Sequence, residues 1–186
     1  FKHIRGQCDD ASISLGKERG ACPDAADFGF DDRFSNKLAI APTASISIIC
    51  GGASPGIEPS AANVYNHKTL SGSFVVRNPY LEKLLELKGR NDEETWTTVT
   101  TAQGSVKDLD CLDDHEKAVF KTAFEIDQRW LVEHAADRAP FICQSQSLNI
   151  FLPANVHKRD LHQIHMMAWK RGVKSLYYCR SLSIQR

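Results

Sequence analysis

The C-terminal third of the chain alternates between two kinds of hydrophobic pattern, and this alternation restricts the possible folds most. Residues 116–136 carry apolar side chains at helical spacing, and residues 160–170 do so again before Gly172. Between and after these segments, Ser145–Leu152 alternates as a strand does, and Val173–Cys179 is a short strand-like end. The order helix, strand, helix, strand favours parallel strands joined by crossover helices, and hence an α/β fold.

The rest of the chain gives shorter signals. Ala11–Arg19 predicts a short helix, and residues 38–50 predict a strand, a proline turn and a further element. Asn78-Pro79 is typical of a helix start, with asparagine as the N-cap, and Gly89 is typical of a helix end. Residues 90–115 are polar and predict a surface excursion.

Charge and cysteine usage exclude several classes of function. The chain has 23 basic and 23 acidic residues, so a surface for polymeric nucleic acid is not expected, although a small phosphate ligand is compatible with this balance. No apolar run approaches the roughly 18 residues of a membrane span, and no signal-peptide core is present. The 6 cysteines form no CxxC pair, which predicts reduced thiols, a cytoplasmic location and no zinc site. The missing initial Met suggests a fragment, a processed product or a split gene.

A candidate phosphate loop lies at Pro42–Ser47. Thr43 is predicted to cap a helix that starts at Ala44, which leaves the next backbone N–H groups free. A helix N-terminus with such N–H groups and small hydroxyl side chains binds phosphate. Because the segment holds no Lys or Arg, it suits a small phosphorylated metabolite. A plain capped helix with inward-packing serines is the alternative.

Two adjacent tyrosines, Tyr177 and Tyr178, form the second candidate site. A tyrosine can lose an electron and a proton together, so two tyrosines in contact can pass a radical from one to the other. In a regular strand they would point to opposite faces, so contact requires the backbone to leave strand geometry near Tyr177. The alternative is that one ring packs inward and the other lies on the surface.

Four further polar residues have a less specific interpretation. Glu58 is either an acid near the site or an anchor for a helix or turn. His162 and His165 have a spacing that can bind metal, but without an evident third ligand they predict a solvated helix face and no metal site. Cys179 is interpreted as a small packing residue.

Six blocks are distributed over most of the chain and include both candidate sites. They are Lys17–Gly20, Ala41–Ser45, Gly56–Pro59, Leu70–Phe74 with Asn78-Pro79, Gln144–Ile150 and Trp169–Tyr178. In this order they resemble the large subunit of class I ribonucleotide reductase. The resemblance implies a ten-stranded α/β barrel with a central finger loop. Residues 1–186 would then be a single partial domain, the C-terminal portion of that barrel.

The resemblance also implies roles for the two candidate sites. The loop would hold the diphosphate of the substrate, largely through backbone N–H groups, with the residues Thr43, Ala44, Ser45 and Ile46. Tyr178 would receive a radical from the small subunit, and Tyr177 would pass it to a cysteine on the finger loop. The presence of both tyrosines is similar to class I and not to the other classes.

The implied reaction is the reduction of ribonucleoside diphosphates to deoxyribonucleoside diphosphates, the precursors for DNA replication. The implied partners are the metal-containing small subunit, a thioredoxin- or glutaredoxin-type reductant and the remaining N-terminal part of the large subunit, with no cofactor in this chain. The finger loop, its radical cysteine, the reducing cysteine pair and the effector sites have no match here. We therefore expect the chain alone to be inactive and marginally stable. A non-catalytic phosphate-binding module that shares the fold is the alternative.

Overall fold

The computed structural model describes residues 1–51, 54–70 and 72–181, and the chain divides into two compact units. The first unit comprises Phe1–Glu58 together with the chain from Gln128 onward, and the second comprises Pro59–Asp127. The second unit is therefore an insertion in the sequence of the first. That the chain forms one partial domain of a larger protein stays a prediction.

The elements follow the chain from helix α1 to strand β4. In order they are α1 Lys2–Arg19, α2 Pro23–Asp27, α3 Ala44–Ile49, β1 Val64–Thr69, β2 Gly72–Arg77, α4 Pro79–Leu87, α5 Glu93–Thr101, α6 Asp114–Val119, α7 Gln128–Arg138, a 3-10 turn Ala139–Phe141, β3 Ile150–Leu152, α8 Lys158–Lys170 and β4 Cys179–Ser181.

Parallel pairing joins the extended segments of the first unit. Strand β3 pairs in parallel with β4, with Ile150 opposite Cys179, and α8 forms the crossover between them. On the other side, Ile40 forms a parallel bridge with Gln146, and the Ser147 N–H group donates to the Ile40 carbonyl at 2.9 Å. The predicted parallel α/β arrangement is therefore confirmed.

The regular strands are shorter than predicted. Within Ser145–Leu152 only the last three residues are a regular strand, and the predicted strand Val173–Cys179 gives way to β4, which begins at Cys179. The ladder is interrupted because the Tyr178 N–H group donates to the side chain of Asn149 instead of a backbone carbonyl. The predicted α8 is confirmed and begins two residues earlier, at Lys158.

The prediction of one helix over residues 116–136 is wrong, because the structure has two helices there, α6 and α7. Between them the Glu125 carboxylate accepts hydrogen bonds from the Thr122 N–H and hydroxyl groups, both at 2.8 Å. It also accepts one from the Ser105 hydroxyl at 2.6 Å. These bonds hold a local turn to a distant loop, and this tertiary contact replaces the helical hydrogen bonds.

The prediction of a surface excursion at residues 90–115 is also wrong. This segment contains α5, and its apolar side chains enter the core of the second unit with those of α4. The buried members are Leu81, Leu85, Trp96, Val99, Val106, Leu109 and Leu112. The helix start at Asn78 is confirmed, since its Oδ1 accepts from the Tyr80 N–H group at 3.0 Å.

Two other segments differ from the sequence prediction. Helix α1 begins at Lys2 and not at Ala11. The apolar pattern did not predict its first half because that half is mostly polar. Contacts such as the ion pair of Arg5 with Asp9 at 2.7 Å stabilise it. Strands β1 and β2 form an antiparallel hairpin, with Val64 opposite Arg77, that the sequence analysis did not predict.

Candidate functional site

The rings of Tyr177 and Tyr178 are in contact. Their centroids lie 4.1 Å apart, and the ring planes are inclined at 50°. The pair comes immediately before β4, which begins at Cys179, so it lies outside the regular strand. The required departure from strand geometry is therefore confirmed, whereas the role of the pair in radical transfer stays a prediction. Both rings are about half exposed, at 49% and 56%.

Three hydrogen bonds fix the backbone of the tyrosine pair. The Tyr177 N–H group donates to the Leu148 carbonyl at 2.8 Å, and the Tyr178 carbonyl accepts from the Ile150 N–H group at 2.9 Å. The Tyr178 N–H group donates to Oδ1 of Asn149 at 2.9 Å. Asn149 is only 1% exposed, so this side-chain acceptor is held rigidly within the core of the unit.

The other end of the Asn149 amide is held by Glu58. The Asn149 Nδ2 group donates to Oε1 of Glu58, so the Glu58 side chain connects its turn to this buried amide. Burial raises the pKa of Glu58, although the nearby charge of Arg180 and the hydrogen bond from Asn149 act in the opposite direction. The guanidinium carbon of Arg180 lies 5.9 Å from the centre of the Tyr178 ring.

The candidate phosphate loop forms the predicted helix start at Ala44, but Thr43 does not cap it as predicted. Thr43 lies in the left-handed region, with φ 50° and ψ 29°, whereas a side-chain N-cap normally lies in the extended region. Its hydroxyl instead accepts a hydrogen bond from the Gly56 N–H group at 2.6 Å. The side chain therefore ties the loop to the turn that leads to Glu58.

The first turn of α3 leaves backbone donors available. The first intrahelical bond runs from the Ser47 N–H group to the Thr43 carbonyl at 2.9 Å, so the N–H groups of Ala44, Ser45 and Ile46 precede it. These three residues are exposed. Ser47 is buried, and its hydroxyl donates to the Ala44 carbonyl at 2.8 Å. Ser47 therefore packs inward, as in the alternative interpretation of this segment, whereas Ser45 is exposed to solvent.

Gly56 keeps the turn close to the loop. Its φ is +60°, and a Cβ at this position would lie 3.1 Å from the Ala41 carbonyl oxygen, so a side chain would be strained. From the loop, successive contacts therefore run through Gly56 and Glu58 to Asn149 and so to the tyrosine backbone.

Sequence reasoning missed the importance of Asn149 and Arg180. The available signal for Asn149 is its position between Leu148 and Ile150, because a polar residue buried in an apolar strand requires specific hydrogen-bond partners. No comparable local signal exists for Arg180, whose relevance arises only from its proximity to Glu58 and Tyr178.

The remaining candidate residues lie on the surface. The interpretation of Cys179 as a packing residue is wrong, because it is exposed in β4, which pairs with β3. His162 and His165 are exposed on α8, and Nδ1 of His165 lies 2.8 Å from the Leu161 carbonyl oxygen. Within residues 1–51, 54–70 and 72–181, no group of three or more His, Cys, Asp or Glu side chains could hold a metal ion. The helices in these same ranges are too short or too polar to cross a membrane.

Comparison with known proteins gives one consistent family. The profile of the ribonucleotide reductase barrel domain matches residues 2–179. The ribonucleoside-diphosphate reductase large subunit of Invertebrate iridescent virus 6 is 47% identical over 188 residues, which cover 99% of this chain and 19% of that protein. A putative large subunit of Frog virus 3 is 41% identical and covers 97% of this chain and 32% of that protein. The Danio rerio large subunit is 38% identical over 81% of this chain and 19% of its own length.

A solved structure has the same fold. The class Id ribonucleotide reductase alpha subunit of Actinobacillus ureae superposes with a TM-score of 0.87 at 38% identity, over 98% of this chain and 33% of that chain. The chain thus spans between 19% and 33% of the length of these relatives and forms a portion of their α/β barrel. On this evidence the chain belongs to the ribonucleotide reductase barrel-domain family.

Proposed function

We propose that the chain is part of the catalytic subunit of a ribonucleoside-diphosphate reductase and supplies two components of it. These are the loop for the substrate diphosphate and the tyrosine pair for radical transfer. The observation that carries this proposal is the 4.1 Å separation of the Tyr177 and Tyr178 rings, in a chain of this family. Adjacent tyrosines in a regular strand would not make this contact.

Each step of the relay moves one electron and one proton. Tyr178 gives both to the radical of the small subunit and becomes a neutral tyrosyl radical. It then takes an electron and a proton from Tyr177, which takes them in turn from the finger-loop cysteine. Interaction with the neighbouring Tyr178 side chain raises the pKa of Tyr177. The proton would pass directly between the two side chains, whose ring centroids lie 4.1 Å apart.

The diphosphate would bind at the start of α3. The N–H groups of Ala44, Ser45 and Ile46 precede the first intrahelical bond, and with Thr43 they form the edge of the loop. Backbone donors at a helix start attract phosphate oxygens. Because α3 has only 6 residues, we assign most of the binding to the local N–H groups and less to the helix dipole.

The reaction requires partners that this chain does not include. We propose that they are the remaining N-terminal part of the large subunit, the metal-containing small subunit that generates the radical, and a thioredoxin- or glutaredoxin-type reductant. A cytoplasmic location and the lack of polymeric nucleic acid as a ligand belong to the same proposal. The equal numbers of basic and acidic residues, 23 each, support the latter.

The substitutions Tyr178→Phe and Tyr177→Phe test the relay in the complete large subunit. A phenylalanine keeps the ring packing but cannot give up a proton with its electron. We expect each variant to lose turnover, measured as deoxynucleotide formation with the small subunit, while folding and nucleotide binding stay near normal. Normal turnover with a loss of only about 1 kcal/mol of stability, the cost of one hydrogen bond, would show that the pair is structural.

A further inference from the structure

Asn149 connects the backbone of the tyrosine pair with the turn that carries Glu58. Its Oδ1 accepts from the Tyr178 N–H group at 2.9 Å, and its Nδ2 donates to the carboxylate of Glu58. Only a side chain with an acceptor at one end and a donor at the other satisfies both neighbours in this arrangement. Because Asn149 is 1% exposed, neither bond is readily replaced by water.

The bond to Tyr178 occurs where the regular strand stops. Tyr177 and the Tyr178 carbonyl still bond to the backbone of residues 148 and 150, but the Tyr178 N–H group is taken by the Asn149 side chain. This interruption occurs at the residue pair whose rings must converge. A regular ladder would send the two rings to opposite faces.

We infer that Asn149 is a positioning residue for the tyrosine pair, and that Glu58 fixes the orientation of its amide. The inference rests on the proposed function for its catalytic meaning. Glu58 is itself fixed by its turn, since its N–H group donates to the Pro55 carbonyl at 3.3 Å and its carbonyl accepts from the Ser54 hydroxyl. The anchor therefore belongs to the same turn that holds Thr43 through Gly56.

An exchange of the amide and carboxylate groups between positions 149 and 58 tests this inference in the complete large subunit. Asn149→Asp keeps an acceptor for Tyr178 but places two carboxylates against each other. Glu58→Gln keeps an acceptor for Asn149. The double variant Glu58→Gln with Asn149→Asp restores one donor and one carboxylate, with the polarity of the bond reversed.

Two readouts are needed. The first is the titration of a fluorinated tyrosine at position 177, followed by its ¹⁹F resonance, because this resonance responds to the contact with the Tyr178 ring, whose centroid lies 4.1 Å away. The second is turnover with the small subunit. We expect Asn149→Asp to shift this titration and to reduce turnover at least about tenfold, since a misplacement of about 1 Å can cost about 100-fold. Glu58→Gln should change both little, and the double variant should recover both.

A matched control separates positioning from general loss of stability. Asn63 is also a buried amide, 3% exposed, which donates to the Gly104 and Phe120 carbonyls within the second unit. Asn63→Asp should lower stability without moving the ¹⁹F titration. If Asn149→Asp does not fold, Glu58→Leu takes its place, because Glu58 is only partly buried.

An unchanged titration in Asn149→Asp, or in Glu58→Leu where it is used, would overturn the inference. So would a folded double variant that does not recover the wild-type titration. A shifted titration with unchanged turnover would support the positioning and would count against the proposed radical relay instead.

Discussion

At the scale of single residues, binding of the substrate diphosphate at the start of α3 requires that Ser45 be accessible to the ligand. Ser45 is exposed, and its N–H group precedes the first intrahelical bond of α3. Ser45→Asp should therefore place a negative charge beside the substrate phosphate and weaken binding at least about tenfold, or about 1.4 kcal/mol. Equilibrium binding of a nucleoside diphosphate to the complete large subunit measures this. Ser45→Ala removes the hydroxyl without adding charge and should have a much smaller effect, so equal affinities for all three proteins would show that the loop is structural only.

Lys37 gives a prediction about pH. Its ammonium group lies 2.7 Å from Asp9 and 2.6 Å from Asp32, and its hydrogen bonds are the main cause that lowers the pKa of both carboxyl groups. A lowered folded-state pKa adds stability that is present above the unfolded pKa of about 4 and is lost as the pH falls through the folded value.

Lys37→Met should thus lower the free energy of unfolding at neutral pH, and its difference from wild type should shrink as the solution is acidified. Urea unfolding at a series of pH values measures both effects. Arg19→Met is the control, because Arg19 and Glu18 are 65% and 63% exposed and their pair should contribute little. A Lys37→Met difference that stays constant down to strongly acidic pH would contradict the assignment.

At the scale of elements, the turn after α5 depends on a close backbone approach. A Cβ at Gly104 would lie 2.4 Å from the Cβ of Ala62, and φ is +86°. Gly104→Ala should therefore cost about 1–3 kcal/mol for overpacking and about 1–2 kcal/mol for the left-handed backbone. Gly89→Ala is the matched control in the same unit, since its φ is +68° but no described atom lies within 4 Å, so only the backbone cost applies. Equal losses in thermal unfolding for the two variants would rule out the steric cause.

The elements also show how far the sequence could predict this fold. Helix α4 was predictable because Asn78 and Gly89 mark its ends locally, and α8 because its apolar spacing is regular. The end of α6 before α7 was not predictable, since the turn between the two helices includes the bond of Glu125 with Ser105, 20 residues earlier. Helix α5 was hidden because threonines occupy most of its second half, although Trp96 and Val99 bury its inner face.

In the candidate site, too, the local features were predictable from the sequence and the long-range contacts were not. The helix start at Ala44 and the adjacency of the tyrosines were readable from local sequence. The bond of Asn149 with Glu58 joins residues 91 positions apart, and no local pattern specifies such a distance. Thr43 shows the same limit, because its hydroxyl bonds to Gly56 and not to the helix that follows it.

At the scale of the whole molecule, the chain holds only part of a barrel. The described parallel pairings join three neighbouring segments, around Ile40, Gln146–Leu152 and Cys179–Ser181. Strands removed from a closed barrel leave unpaired edges, so we expect the isolated chain to be marginally stable and inactive. Deoxynucleotide formation with the small subunit and reductant tests this. Turnover without the N-terminal part of the large subunit would contradict the prediction, whereas turnover only after that part is added would agree with it.

The insertion of the second unit has a consequence for the order of folding. The Lys37 N–H group donates to Sγ of Cys143 at 3.0 Å, a contact between residues 106 positions apart. Closing a disordered loop of this length costs entropy that grows with the logarithm of the length, and such distant contacts slow folding. If residues 59–127 collapse first, the disordered span is shortened before the two ends of the first unit meet. Assembly would then proceed from the middle of the sequence outward, and the tyrosine pair, which belongs to the first unit, would reach its final position after the second unit has formed.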